Sequence, residues 1–208
     1  MMKIPTEIIA FGLLGLLIGI GFGTYRYMHS KDKPAYPKLP AKVYSKVLMK
    51  TNFGEITIGL YDKHAPITVA NFLAYVEKDF YSGTVFHRII DGFMIQGGGF
   101  DENLQQKKTN APIKNEAENR VANARGTIAM ARTAVIDSAT AQFFINVVDN
   151  KSLDFRAADS SGFGYCVFGE VIEGMDVVDT IKGLAVQPNG MHQHFPRKVV
   201  MIESVEKL

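Results

Sequence analysis

From Tyr44 onward the chain repeats one device, short apolar runs cut apart by glycine or polar turns, at 85–90, 93–96, 127–131, 143–148 and 165–171. These read as strands. Ile56, Ile58 and Leu60 alternate with Glu55, Thr57 and Gly59, a period of two with one buried face. The run from Lys46 to Lys50 is the expected hairpin partner, across Asn52-Phe53-Gly54. Two segments break the pattern. Pro66 suits the first turn of a helix, and Val69, Phe72, Leu73, Val76 and Phe80 follow it at helical spacing. A second helix fits 175–183, with Val177, Val178 and Ile181 inward, and a last strand is expected around Val199 to Val205. With no βαβ alternation and no internal repeat, the expected architecture is mostly β: a closed antiparallel barrel with helical caps.

The N-terminal part is different in kind. Residues 8–25 hold eighteen consecutive uncharged residues, IIAFGLLGLLIGIGFGTY. As a helix this spans roughly 27 Å, close to the hydrocarbon core of a bilayer. A cleaved signal peptide would carry a shorter apolar core and a cleavage site of the A-x-A kind. None precedes Tyr25-Arg26-Tyr27, which resemble interfacial anchors, so an uncleaved transmembrane helix is expected. Gly15, Gly19 and Gly23 share one stripe of it, where a second copy could approach closely and self-associate. Residues 1–7 form a short tail. Residues 26–42 form a basic linker in which Pro34, Pro37 and Pro40 match the polyproline II repeat, a spacer of roughly 35–40 Å over 31–42. The main domain is expected over 43–208.

Sidedness draws on opposed signals. One basic residue, Lys3, precedes the apolar run and five follow it, which would keep the domain in the cytoplasm. The short tail with one lysine resembles a secretory n-region, which would export it. Export to the periplasmic side of an inner membrane is the expectation taken, and the cytoplasmic side stays open.

Charge is informative through its distribution. Arg26, Lys31, Lys33, Lys38 and Lys42 against Asp32 give the linker +4, while Lys3 and Glu7 cancel. The whole chain carries +2, so residues 43–208 carry −2. That argues against a nucleic-acid surface on the domain. A single cysteine, Cys166, excludes an intramolecular disulfide or a cysteine metal cluster and reads as a small buried hydrophobe. His192-Gln193-His194 lacks nearby carboxylate or cysteine partners, so no metal site is expected there.

The densest stretch is Phe86-His87-Arg88-Ile89-Ile90-Asp91-Gly92-Phe93-Met94-Ile95-Gln96-Gly97-Gly98-Gly99. Two more blocks follow: Gly126 to Arg132 with Ser138 to Asn146, and Gly164 to Val171. In this order and spacing they closely resemble the cyclophilin family, its bacterial members above all, over about 46–206. The resemblance implies an eight-stranded antiparallel barrel capped by two helices, with a proline-binding groove on its outer face. It also implies peptidyl-prolyl cis–trans isomerase activity on proline-containing polypeptides. By motif, Arg88 looks like the catalytic arginine. Phe93, Met94, Phe144 and Leu153 look like the pocket for the proline ring, with Tyr165 at its edge. Gln96, Gln142 and the backbone at Ala131 and Arg132 look like the groups that hold the substrate backbone.

The chemistry fits such a set. Turning a prolyl amide has a barrier of ~20 kcal/mol from amide resonance. No covalent bond changes, so neither a nucleophile nor a cofactor is called for. At the twisted transition state the proline nitrogen regains its lone pair, and a guanidinium that cannot lose its proton is a suitable donor. Without the motif, Arg88 would read as a surface ion-pair partner, and Phe93, Met94 and Phe144 as core. Phe86, Ile95 and Phe143 alternate with the pocket residues and read as barrel core. His87 should face away from Arg88 as a structural hydrogen-bonding histidine, and Gly97-Gly98-Gly99 reads as tight turn geometry.

The pattern departs from the family at three places. Ser152 stands where many cyclophilins have an aromatic, often tryptophan, before the leucine matching Leu153; its loss implies weak cyclosporin binding. Tyr165 stands where histidine is common, and Arg132 where asparagine is. A competing reading is a membrane-tethered, proline-recognising holdase or assembly factor whose turnover is incidental.

Overall fold

A computed structural model describes residues 45–208. The tail, the apolar run with Gly15, Gly19 and Gly23, and the linker to residue 42 lie outside the described residues. Among the described residues no helix is long and apolar enough to cross a membrane.

Eleven strands, two α-helices and two 3₁₀ turns make up the domain. The expected first hairpin forms: β1 (Ser45–Thr51) pairs antiparallel with β2 (Gly54–Leu60), Ser45 opposite Leu60 and Thr51 opposite Gly54. Helix α1 (Pro66–Glu77) follows, with proline in its first turn. The remaining sheet strands are β3 (Thr84–Val85), β4 (Arg88–Ile90), β5 (Met94–Gly97), β6 (Thr127–Met130), β7 (Phe143–Asn146), β8 (Val167–Glu173) and β11 (Met201–Lys207). Helix α2 (Met175–Lys182) leads into a separate hairpin, β9 (Val186–Asn189) and β10 (His192–Pro196).

Every ladder is antiparallel, in the order β3-β11-β1-β2-β8-β6-β7-β5-β4. The expected eight-stranded closed barrel is therefore corrected to a curved sheet of nine strands. Its terminal strands β3 and β4 are consecutive in the chain and are joined by Phe86-His87, with no ladder recorded between them. The main core lies on one face, and it includes Phe86, Ile89, Ile95, Phe143 and Ile145. Helix α1 adds Val69 and Phe72 to it. Phe72 meets the rings of Tyr81, Phe143 and Phe168 at centroid distances of 5.1, 5.9 and 5.2 Å. Val178 and Ile181 of α2 are fully buried, and Val177 packs partly buried against the same core.

Phe80 is a second correction. The helix stops at Glu77, and Asp79 turns the chain with φ 50°. The turn is closed by the Phe80 N–H donating to the Tyr75 carbonyl at 3.0 Å, and the two rings pack at 4.6 Å. Helical spacing therefore ran past the helix, because the returning chain buries Phe80 on the same side.

Helix α1 has an unusual start. Its N-cap residue, Ala65, has no side chain to cap with. Glu116, far along the chain, takes that part: Oε1 accepts from the Ile67 N–H at 3.1 Å, and Oε2 from the Thr68 N–H at 2.8 Å and the Thr68 hydroxyl at 2.7 Å. A carboxylate suits the positive end of a helix dipole.

Candidate active site

The pleat of the sheet aligns four side chains in a row. Arg88 on β4 is opposite Gln96 on β5, Gln96 is opposite Phe144 on β7, and Phe144 is opposite Ala129 on β6. Opposed residues of a ladder share a face, so this row lies on the outer face, turned away from Ile89, Ile95 and Phe143. One step along, Met94 is opposite Ile90 and Asn146. A second apolar cluster forms on this face from Tyr61, Met94, Val121, Ala129, Phe144 and Val167. Phe93, Ala131, Leu153 and Tyr165 pack against it.

Above that cluster is a groove of about 240 Å³. Nine of the ten residues singled out from the sequence line it. Met94 and Phe144, 1% and 4% exposed, make the floor. Phe93, Leu153 and Tyr165 rise half-buried at the walls, with Ala131 and Arg132 at one side and Arg88 with Gln96 at the other. The tenth, Gln142, touches the set through Gln96, whose Nε2 donates to Gln142 Oε1 at 3.1 Å. Gly99 permits this approach: a Cβ there would lie 2.4 Å from Gln142 Cγ.

Arg88 is held over the apolar surface. Its Nη1 donates to Gln96 Oε1 at 3.3 Å and lies 3.9 Å from the Met94 sulfur. Its guanidinium carbon is 5.9 Å from the Phe93 ring centroid. The Arg132 side chain is tied down by backbone carbonyls and an aromatic ring. Its Nε donates to the Gly164 carbonyl at 2.9 Å and its Nη1 to the Thr133 carbonyl at 2.9 Å. The guanidinium covers the Tyr165 ring at 4.8 Å, and that ring meets Phe144 edge-on at 5.6 Å. At Ala131 the backbone N–H is occupied, donating to the Gln142 carbonyl at 2.9 Å, so only its carbonyl faces other partners.

Sequence reading missed what stands behind the walls. Asn123, Asn146, Asn150 and Asp154 are all buried and mutually bonded. Asn150 Nδ2 donates to the Phe93 carbonyl at 2.8 Å and to Asn146 Oδ1 at 2.7 Å. Asn123 Nδ2 donates to the Leu153 carbonyl at 3.1 Å and reaches the Tyr165 carbonyl at 3.4 Å. The backbone of three wall residues is thus fixed by one polar network. Its only trace in the sequence is three asparagines that hydrophobic patterning ignores.

Other residues sit apart from the groove. Cys166 is buried against Thr68, and burial pushes its thiol up to about 12, so it is an inert part of the core. His87 is buried on the other side from Arg88. It meets the rings of Phe100 and His192 edge-on at 4.7 and 5.1 Å, and its Nδ1 finds no hydrogen-bond partner. Among the described residues no group of three or more histidine, cysteine or acidic side chains could hold a metal ion.

An apolar groove on the outer face of a curved antiparallel sheet, edged by the guanidinium groups of Arg88 and Arg132, defines a cyclophilin-like fold. A family model described as cyclophilin type peptidyl-prolyl cis-trans isomerase/CLD matches residues 46–207. The chain is 58% identical over 159 residues to peptidyl-prolyl cis-trans isomerase B of Escherichia coli strain K12, covering 76% of this chain and 97% of that protein. It is 57% identical over 160 residues to a peptidyl-prolyl cis-trans isomerase of Acinetobacter baylyi, covering 77% and 84%. A crystal structure of a Cryptosporidium parvum cyclophilin type isomerase shares the fold, with a TM-score of 0.65 at 24% identity over 79% of this chain and 98% of that one. The chain belongs to the cyclophilin-type peptidyl-prolyl cis–trans isomerases. It is an enzyme of that class, a rotamase.

Proposed function

We propose that the groove binds Xaa-Pro segments of polypeptides and that Arg88 accelerates rotation of the bond before proline. The proline ring rests on Met94 and Phe144 between Phe93, Leu153 and Tyr165. Gln96, Gln142, the Ala131 carbonyl and the Arg132 backbone hold the flanking chain. As the amide twists, conjugation is lost and the proline nitrogen becomes an acceptor, to which the Arg88 guanidinium donates. One charge-assisted hydrogen bond contributes roughly 1.5–3 kcal/mol, or about one to two factors of ten in rate. The remainder comes from a groove that fits the twisted amide better than either planar isomer. The observation that carries this reading is the placing of Arg88 Nη1, 3.3 Å from Gln96 Oε1 at the margin of the apolar floor.

Exchange NMR on a short Xaa-Pro peptide tests it, using the full chain and Arg88→Ala. Fast exchange that collapses in the variant supports the assignment. Peptide binding without acceleration by the unmutated protein favours the holdase instead.

We further propose that residues 8–25 anchor the enzyme in the inner membrane, with 26–42 as spacer and 43–208 as an exported domain. The apolar length and the absence of an A-x-A cleavage site support the anchor. Protease added to spheroplasts should degrade the domain; full protection would place it in the cytoplasm.

A further inference from the structure

We propose that Arg132 is a charge-specificity determinant: the enzyme prefers peptides with an acidic residue two before the proline over those with a basic one. This rests on the groove reading above. Two guanidinium groups, Arg88 and Arg132, line the groove, and no carboxylate does. Neither arginine takes part in an ion pair among the described residues. Arg132's hydrogen bonds run only to neutral carbonyls, those of Gly164 and Thr133, and its flat face lies on Tyr165. Carboxylates on the flanking loops are engaged elsewhere. Asp137 accepts from the Asn115 N–H at 2.8 Å, and Asp154 from the Asn123 N–H at 2.7 Å.

These contacts hold the charge in place without neutralising it, and a guanidinium stays charged at every working pH. A half-buried cation beside the path of the substrate is screened less than one at a free surface. It attracts an acidic side chain and repels a basic one, and discrimination is the difference between the two. Because Arg132 is already ordered, little side-chain entropy is lost when an anion pairs with it. Asparagine, common in the family at this place, would supply no such field.

The test compares kcat/KM by exchange NMR on three peptides that differ only in the residue two before proline: Glu, Gln or Lys. The full chain, Arg132→Gln and Arg132→Lys are each measured at low and high salt. In the unmutated protein the Glu peptide should exceed the Lys peptide by about two- to ten-fold at low salt, narrowing at high salt. That ratio should fall to near one in Arg132→Gln, whatever happens to the Gln peptide, and survive in Arg132→Lys. Turnover with a ratio near one in the unmutated protein overturns the proposal, as does a ratio that persists in Arg132→Gln. No turnover of any peptide by the unmutated protein overturns the groove reading, and the charge preference falls with it.

Discussion

Arg88 and Gln96 face one another across the β4–β5 ladder, and the amide oxygen of Gln96 accepts from Arg88 Nη1 at 3.3 Å. The same Gln96 donates through its Nε2 to Gln142 at 3.1 Å. One neutral side chain therefore orients the guanidinium while leaving its charge whole, which an aspartate or glutamate would not. Gln96→Leu keeps the size and removes both bonds. Losing a bond of this kind costs about 0.5–1.5 kcal/mol. Turnover of an Xaa-Pro peptide should drop about two- to ten-fold, less than in Arg88→Ala. A Gln96→Leu enzyme as slow as Arg88→Ala would mean that Gln96 does more than hold the arginine.

The buried asparagines give a second prediction. Asn150→Ala leaves Asn146 Oδ1 without its donor and strips one of two donors from the Phe93 carbonyl, which keeps the Val147 N–H at 3.1 Å. Stranding buried polar groups costs about 1–3 kcal/mol, which in a domain of this size lowers Tm by about 3–10 °C. Phe93 also loses a backbone anchor, so peptide turnover should fall at temperatures where the variant remains folded. Thermal unfolding and exchange NMR on one sample separate the two effects. A lowered Tm with full turnover would make Asn150 a stability residue alone.

How much of this was legible in the sequence depends on which face of a strand carried a signal. Strand β2 showed its period through residue type, Ile56, Ile58 and Leu60 between Glu55, Thr57 and Gly59. Only Glu55 of these is exposed: Thr57 and Gly59 are buried, so both faces are covered rather than one. On β5 and β7 both faces are apolar: Ile95 and Phe143 enter the main core, while Met94 and Phe144 floor the groove. Alternation cannot tell such faces apart, and only the motif resemblance separated them. The β9–β10 hairpin was missed because Pro188, Gly190 and an exposed Met191 give it no buried stripe to read. The capping by Glu116 was illegible because nothing local ties it to Ile67 and Thr68.

That remote cap is testable as stability without function. Glu116→Ala strips three acceptor contacts from the start of α1, on the core side of the sheet and away from the groove. Loss of a helix cap costs about 1–2 kcal/mol. The denaturant midpoint should fall accordingly, with turnover at 25 °C unchanged. A midpoint equal to that of the unmutated protein would show that water replaces the carboxylate at no cost.

Ser152 yields a prediction about inhibition. It is exposed on the 3₁₀ turn Lys151–Leu153, beside a wall residue of the groove. Without an aromatic there, cyclosporin has less apolar surface to cover, and burial of a tryptophan ring would add several-fold in affinity. Ser152→Trp should tighten cyclosporin binding and leave turnover in place, as read by calorimetry and exchange NMR. A submicromolar dissociation constant for the unmutated chain would contradict this account.

The last prediction concerns pH. Burial, and then the neighbouring His192, hold His87 near 4, below its ordinary 6.5. Above pH 6.5 the imidazole is neutral in both folded and unfolded chains, and its contribution is fully present. As pH falls from 6.5 toward 4, the unfolded chain takes up a proton that the folded one refuses, so stability is lost across that window. The shift corresponds to about 3 kcal/mol at its acid end. Carboxylates titrate in the same range, so the quantity to measure is a difference between two proteins. His87→Phe keeps an aromatic ring edge-on to Phe100 and His192 while removing the titrating group. Denaturant midpoints measured from pH 7.5 down to about pH 4.5 should diverge, the unmutated protein losing more. Parallel loss in the two would mean that the folded protein admits a proton at His87 as readily as the unfolded chain does.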